Sequence, residues 1–269
     1  KLIKLNSLGT YYLKEYEDFS KFKSKEELKL PLNCNIISCL QNTRKINFVF
    51  LQVINEILNK VPNTKLLLCN FKNKEIKKRV NNILNNRVIY IGQCDSLVYN
   101  SFLYNSDLIM DSYPFGGCNS SLESLSMGKI IITKPSKFLS GRFTYGFYKK
   151  MGIMTPVVKN FKDYIDKSIF YLNNINERRK LEKKISDKQS VLFNDQESVD
   201  EWQTTLIDLH KQENPEFKIP EKKILNNKIS LVENFKSQNY EIMRNIIPKN
   251  KKIAHLYYEE SLNFGDSAI

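Results

Sequence analysis

The chain has 269 residues, with 42 lysines and arginines against 29 aspartates and glutamates, a formal charge of +13, and 41% hydrophobic content. This much Ile, Leu, Phe and Tyr argues against a disordered chain and, at roughly 150 residues per domain, is enough for one large core or two modest ones. The lysines are mixed with Asn and Ile along the whole chain rather than gathered in one patch, so nucleic acid is not expected as a partner, and no apolar run approaches the ~18 residues of a membrane span.

Residues 1–34 read as a connecting segment. The start, Lys1-Leu2-Ile3-Lys4, lacks a secretory leader, so a cytoplasmic location is expected, and a chain opening on Lys rather than Met reads as an excerpt of a longer protein. From Asn35 to Thr133, short β-branched runs alternate with helical patterns. The predicted strands are 35–40, 64–69, 87–92, 107–111 and 130–133; helices are predicted over 48–60, 74–84, 97–104 and 120–127. Strands separated by helices of this length make βαβ units, so a parallel sheet covered on both faces is expected: an α/β, Rossmann-like domain over 35–210. Beyond Thr133 the pattern is helical, at about 140–150, 161–172, 177–188 and 197–209, the last with Trp202, Leu206 and Leu209 on one face. Residues 211–252 have the composition of a linker with a helix-like stretch from Ile229 to Ile247, and 253–269 read as the start of a possible further domain.

In a doubly wound sheet, ligands bind beyond the carboxyl ends of the strands, which directs attention to the loops there. The first strand leads into Gln41-Asn42-Thr43-Arg44-Lys45, two amides and two cations. The fourth leads into Asp111-Ser112-Tyr113-Pro114-Phe115-Gly116-Gly117-Cys118-Asn119-Ser120-Ser121-Leu122-Glu123. Gly116 and Gly117 allow close backbone approach to a ligand, and Asn119, Ser120 and Ser121 fall at a helix N-terminus, whose free N–H groups and dipole favour a phosphate. Glu123, placed within the first turn, has a carboxylate suited to the hydroxyls of a ribose. Lys45, from the facing loop, is suited to the charge developing on a departing diphosphate.

These features have plainer readings. Ser120-x-x-Glu123 is also a capping box, with Asn119 or Ser120 as the cap, and Arg44 and Lys45 also fit a solvated turn. The five cysteines, Cys34, Cys39, Cys69, Cys94 and Cys118, contain no C-x-x-C pair, so neither a metal site nor a disulfide framework is expected. Cys118 reads as a small filler, because His210 and His255 lie far along the chain.

Taken in order, Cys39 to Asn47, Ile57 to Thr64, Asp111 to Gly128, Pro135, Leu139-Ser140-Gly141-Arg142 and Met151-Gly152 resemble segments of a known family. They are similar to the C-terminal half of the catalytic region of the O-linked N-acetylglucosamine transferase (SPINDLY-like) family and of the related bacterial cytoplasmic N-glycosyltransferases. The resemblance covers about Ser7 to Leu209. It implies a GT-B fold, a UDP-sugar as donor substrate with no further cofactor, and inverting, metal-independent transfer of a hexose or N-acetylhexosamine to a protein or glycan acceptor. On that basis Lys45 matches the diphosphate-binding lysine and is the catalytic residue. Asn119 and Ser120 match the phosphate-binding positions, Glu123 the ribose-binding Asp, and Gln41 a donor-site Gln. Gly116, Gly117 and Ser121 complete the nucleotide-binding segment, with backbone groups at Cys94 placed for the base. Gln41 and Lys45 stand one residue further apart than in the animal enzymes, and Gln93 to Ser96 contains no lysine.

The resemblance also implies that the acceptor side and the general base belong to an N-terminal Rossmann half outside this sequence, which acts as a partner of this one; alone, this half is expected to be inactive. Ser261 to Asp266 resembles the opening of polysaccharide pyruvyltransferase-like domains. Two other functions remain open from sequence: a nucleotide-sugar epimerase of GT-B shape, and a non-catalytic module for anionic ligands.

Overall fold

The computed structural model describes residues 3–14 and 18–216. The chain divides into two compact units, 1–199 and 200–269. The helix-like stretch 229–247, the strand expected near 252–258 and the pyruvyltransferase-like segment lie outside the described residues.

Five strands form one parallel sheet: β1 (Asn35–Cys39), β2 (Thr64–Cys69), β3 (Val88–Ile91), β4 (Leu108–Met110) and β5 (Ile131–Ile132), in the order β3-β2-β1-β4-β5. Asn35 pairs with Thr64, Leu66 with Val88, Ile37 with Leu108 and Ile109 with Ile131. Adjacent residues Ile36 and Ile37, which point to opposite faces, are both fully buried. That is why these strands are continuous apolar runs rather than alternating ones.

Helices cover the sheet: α1 (Phe48–Lys60), α2 (Lys74–Ile83), α3 (Ser96–Tyr104), α4 (Asn119–Ser126), α5 (Phe143–Met151), α6 (Phe161–Asn173) and α7 (Ile175–Lys188), followed by α8 (Gln196–Glu213). In α1, Phe50, Val53, Ile54, Ile57 and Leu58 are buried at helical spacing, each contributing ~1.5–3 kcal/mol of transfer free energy. Asn47 caps this helix by accepting from the Phe50 N–H at 3.0 Å. Phe50 meets Tyr164 of α6 edge to face, with ring centroids 6.2 Å apart.

At the amino ends of β1 and β4, Asp107 accepts from Arg178 at 2.7 Å and from the Ile36 N–H at 2.8 Å, fastening α7 beneath the sheet. The segment before β1 packs on the same unit: Leu30 is buried, the Lys23 N–H donates to Ser101 Oγ, and Phe19 and Phe22 stack near Tyr104.

Most predicted elements agree within a few residues. The helix expected over 140–150 instead begins as a separate 3-10 turn, Leu139–Gly141, before α5. A Cβ on Gly141 would lie 2.1 Å from the Pro114 carbonyl oxygen, so the chain passes too close to the preceding loop for a regular helix with side chains there. Trp202, Leu206 and Leu209 of α8 are 39–48% exposed.

This strand order puts β1 and β4 side by side while their following helices lead to opposite sides of the sheet. The switch leaves a crevice beyond the two carboxyl ends, bordered by the loop 40–47 on one side and the loop 111–118 on the other.

Candidate functional site

The loop after β1 is wound into a short 3-10 turn, Thr43–Lys45, capped by Asn42, whose side chain accepts from the Arg44 N–H at 3.0 Å. The turn aims Lys45 across the crevice. Its Nζ donates to Gln41 Oε1 at 3.0 Å and to the Gly116 carbonyl at 2.9 Å, and stands 4.2 Å from the centre of the Phe115 ring. Gln41 is buried and donates from Nε2 to Ser120 Oγ at 2.8 Å. Gln41 thus bridges Lys45 to the start of α4.

The loop after β4 is held at several points. The Asn47 side chain donates to the Tyr113 carbonyl, Ser112 Oγ donates to the Phe115 carbonyl at 2.7 Å, and the Gly116 N–H donates to the Ser140 carbonyl at 3.0 Å. Tyr113-Pro114 is a cis peptide. Space at the two glycines is restricted. A Cβ on Gly117 would lie 2.4 Å from Ser121 Oγ, 2.8 Å from Gln41 Nε2 and 2.9 Å from Ser120 Oγ; one on Gly116 would lie 2.9 Å from both oxygens of Asp111.

The capping box expected at Ser120-x-x-Glu123 is not formed. Helix α4 starts at Asn119, its N-cap is Cys118, and no side chain caps it. Gln41 has drawn the Ser120 hydroxyl across the crevice, and Glu123 falls in the second turn rather than the first, half-buried. Its charge is felt by Tyr99 of α3, whose phenol burial pushes up. The Ser121 N–H turns back to the Cys118 carbonyl at 3.1 Å, while the N–H groups of Asn119 and Ser120 find no acceptor among the described residues. A helix start in this state presents free donors and a positive dipole end.

Beneath the glycines lies a buried polar network. Asp111, 4% exposed, accepts from the Gly117 N–H at Oδ1 and from Thr133 Oγ1 at Oδ2, both at 2.7 Å, with Thr144 nearby. Thr144 Oγ1 and Ser121 Oγ are 2.8 Å apart, which ties the network back to α4. Burial raises the Asp111 pKa, opposed by those hydrogen bonds and by Lys45. Burial likewise lowers the Lys45 pKa, opposed first by the charge of Asp111. The Cys118 thiol is pushed up to about 11 by burial, despite its place at a helix start, which fits a filler rather than a nucleophile.

Of the residues expected from sequence, Gln41, Lys45, Gly116, Gly117, Ser120 and Ser121 are brought together. Asn119 is exposed at the first position of α4, and Glu123 lies a turn beyond it. Cys94 follows β3 two strands away and is exposed. Sequence reasoning passed over Asp111, Asn47, Thr133 and Thr144. A signal existed for Asp111: a carboxylate at the end of an apolar strand, followed within six residues by a glycine pair. Among the described residues no group of three or more His, Cys, Asp or Glu is placed to hold a metal, and no helix is long and apolar enough to cross a membrane.

The chain matches the model of Glycosyl transferase family 41 over residues 15–201. Among solved structures, a mutant of the O-GlcNAc transferase of Thermobaculum terrenum is 18% identical, covering 66% of this chain and 36% of that one with a TM-score of 0.59. A sucrose-phosphate synthase from Thermosynechococcus elongatus is 17% identical over 73% of this chain and 50% of that one, with a TM-score of 0.51. WaaG, a glycosyltransferase involved in lipopolysaccharide biosynthesis, is 10% identical over 62% and 45%, with a TM-score of 0.50. The chain thus spans half or less of the length of these structures, and what it shares with them is the fold, the α/β arrangement of GT-B glycosyltransferases. No curated protein matches the chain.

Proposed function

We propose, for a chain that belongs to glycosyl transferase family 41, that the crevice between the β1 and β4 loops receives the diphosphate of a UDP-sugar and forms the donor side of a glycosyltransferase. The observation that carries this reading is the convergence of the Lys45 ammonium on the same turn whose continuation is a helix start with no side-chain cap. A cation and two free N–H groups facing one space suit a diphosphate.

In this reading the bond between the anomeric carbon and the β-phosphate oxygen breaks as an acceptor atom attacks from the opposite face of the sugar. The electron pair of the broken bond passes to the diphosphate. Lys45 and the N–H groups of Asn119 and Ser120 stabilise that charge, in the role a divalent cation takes elsewhere, so transfer is inverting and metal-independent. Gly116 and Gly117 give the diphosphate close access, with Gln41, Ser120 and Ser121 holding the wall of the site. Glu123 faces the ribose, and backbone groups near Cys94 the base. The sugar is a hexose or N-acetylhexosamine; the acceptor, a protein or glycan, and the general base are supplied with a second Rossmann half.

Calorimetric titration of the chain with UDP and ADP, with and without Mg²⁺, tests this. The expected result is saturable binding that prefers UDP, ignores Mg²⁺, is lost in Lys45→Ala and is kept in Lys180→Ala, a change at an exposed lysine paired with Glu177. Equal loss in both variants, or equal affinity for inorganic polyphosphate, would favour a module that attracts anions without transferring a sugar.

A further inference from the structure

We propose that Asp111 is a positioning residue of this site, acting on Lys45 through a single peptide group: the Gly116–Gly117 peptide accepts from the Lys45 ammonium at its C=O and donates to the Asp111 carboxylate at its N–H. The inference rests on the diphosphate reading of the site, to which it adds the group that keeps Lys45 charged and aimed.

In a trans peptide the oxygen and the hydrogen point in opposite directions, so the group's dipole lies along the line from cation to anion. Each charge strengthens the other's hydrogen bond, and the peptide plane is pinned from both sides. Only glycines fit here, because a Cβ on either would strike the Asp111 oxygens or the Gln41, Ser120 and Ser121 side chains. The carboxylate itself is fixed by Thr133.

The charged and titratable groups acting on Lys45 are Asp111 from the end of β4, Cys39 from β1 and Cys118 from the cap of α4. Both thiols are driven towards the neutral form by burial. That leaves Asp111 as the anion opposing the desolvation of Lys45. A half-buried lysine without such a partner gives up its proton more readily, and with it the attraction for a diphosphate.

Asp111→Asn removes the charge while its amide oxygen can still accept from Gly117. Two readouts are needed. In the free chain, the Lys45 side-chain resonance, assigned by its loss in Lys45→Met, is titrated by NMR. In the presence of UDP, affinity is followed against pH. Binding needs the ammonium, so affinity is highest below the free Lys45 midpoint and falls about tenfold per pH unit above it. The expected result is a Lys45 midpoint and an alkaline fall in UDP affinity that both move to lower pH in Asp111→Asn. In Thr133→Val, which loosens the network but keeps the carboxylate, both should stay near the wild-type position. Asp111→Ser should move them as Asp111→Asn does and serves if the amide variant does not fold. An unmoved midpoint in either folded Asp111 variant would overturn the inference, as would a loss of UDP affinity equal at every pH. A wild-type chain that binds no UDP would instead refute the diphosphate reading, while the free-chain titration still tests the link between Asp111 and Lys45.

Discussion

Gly117→Ala puts a methyl group into the centre of the site without opposing the backbone, since Gly117 does not have a positive φ. The added carbon would sit 2.4 Å from Ser121 Oγ, 2.8 Å from Gln41 Nε2 and 2.9 Å from Ser120 Oγ, so at least one must move. Ser121 can turn away only by leaving Thr144, and Gln41 only by leaving Ser120 and Lys45. Each neutral hydrogen bond lost is worth about 0.5–1.5 kcal/mol, and overpacking a tight site costs about 1–3 kcal/mol. The same displacement widens the gap between Lys45 and the start of α4, where the diphosphate is proposed to bind. At about 1.4 kcal/mol per factor of ten, UDP affinity should fall roughly tenfold or more. Thermal unfolding and calorimetric titration would measure the two effects separately. Gly146→Ala in α5, with nothing within 4 Å of the added carbon, is the matched control and should bind UDP normally. A Gly117→Ala protein that binds UDP as tightly as the wild type would refute the reasoning, because the crowded wall would then have no part in the site.

Two substitutions and one labelling experiment separate stability from binding. Gly146 lies within α5 with open space at its Cβ position, so Gly146→Ala should stabilise the protein by about 0.5–1 kcal/mol and raise its melting temperature. Arg178→Ala leaves the partly buried Asp107 with only the Ile36 N–H and Lys25 as partners; a loss of about 1–3 kcal/mol in denaturant unfolding is expected, with UDP affinity of the folded protein unchanged. Timed alkylation with mass spectrometry at pH 8 should modify the exposed Cys94 first and the fully buried Cys39 last; early modification of Cys39 would mean that the sheet opens more readily than its packing implies.

The alternation of apolar runs and helical patterns makes the sheet legible in the amino-acid order itself, because strands buried on both faces leave no choice but continuous Ile, Leu and Val. The site loops follow from the same pattern. What spacing does not convey is which hydroxyl bonds to what: Ser120-x-x-Glu123 has the form of a capping box, yet Ser120 turns to Gln41, a residue 79 positions away. The 3-10 turn at 139–141 is hidden for a similar reason, since Gly141 answers to the Pro114 carbonyl rather than to its own helical neighbours. Asp111 stands at a strand end ahead of a glycine pair, but only the fold shows that it reaches forward to Gly117 and across to Thr133.

The central claim is that the β1 and β4 loops close on a diphosphate, and a crystal structure of the chain with UDP tests it most directly. The account predicts a β-phosphate oxygen within hydrogen-bond distance of Lys45 Nζ, with the N–H groups of Asn119 and Ser120 donating to the same diphosphate. A diphosphate bound elsewhere, with Lys45 still engaged only by Gln41 and the Gly116 carbonyl, would contradict it.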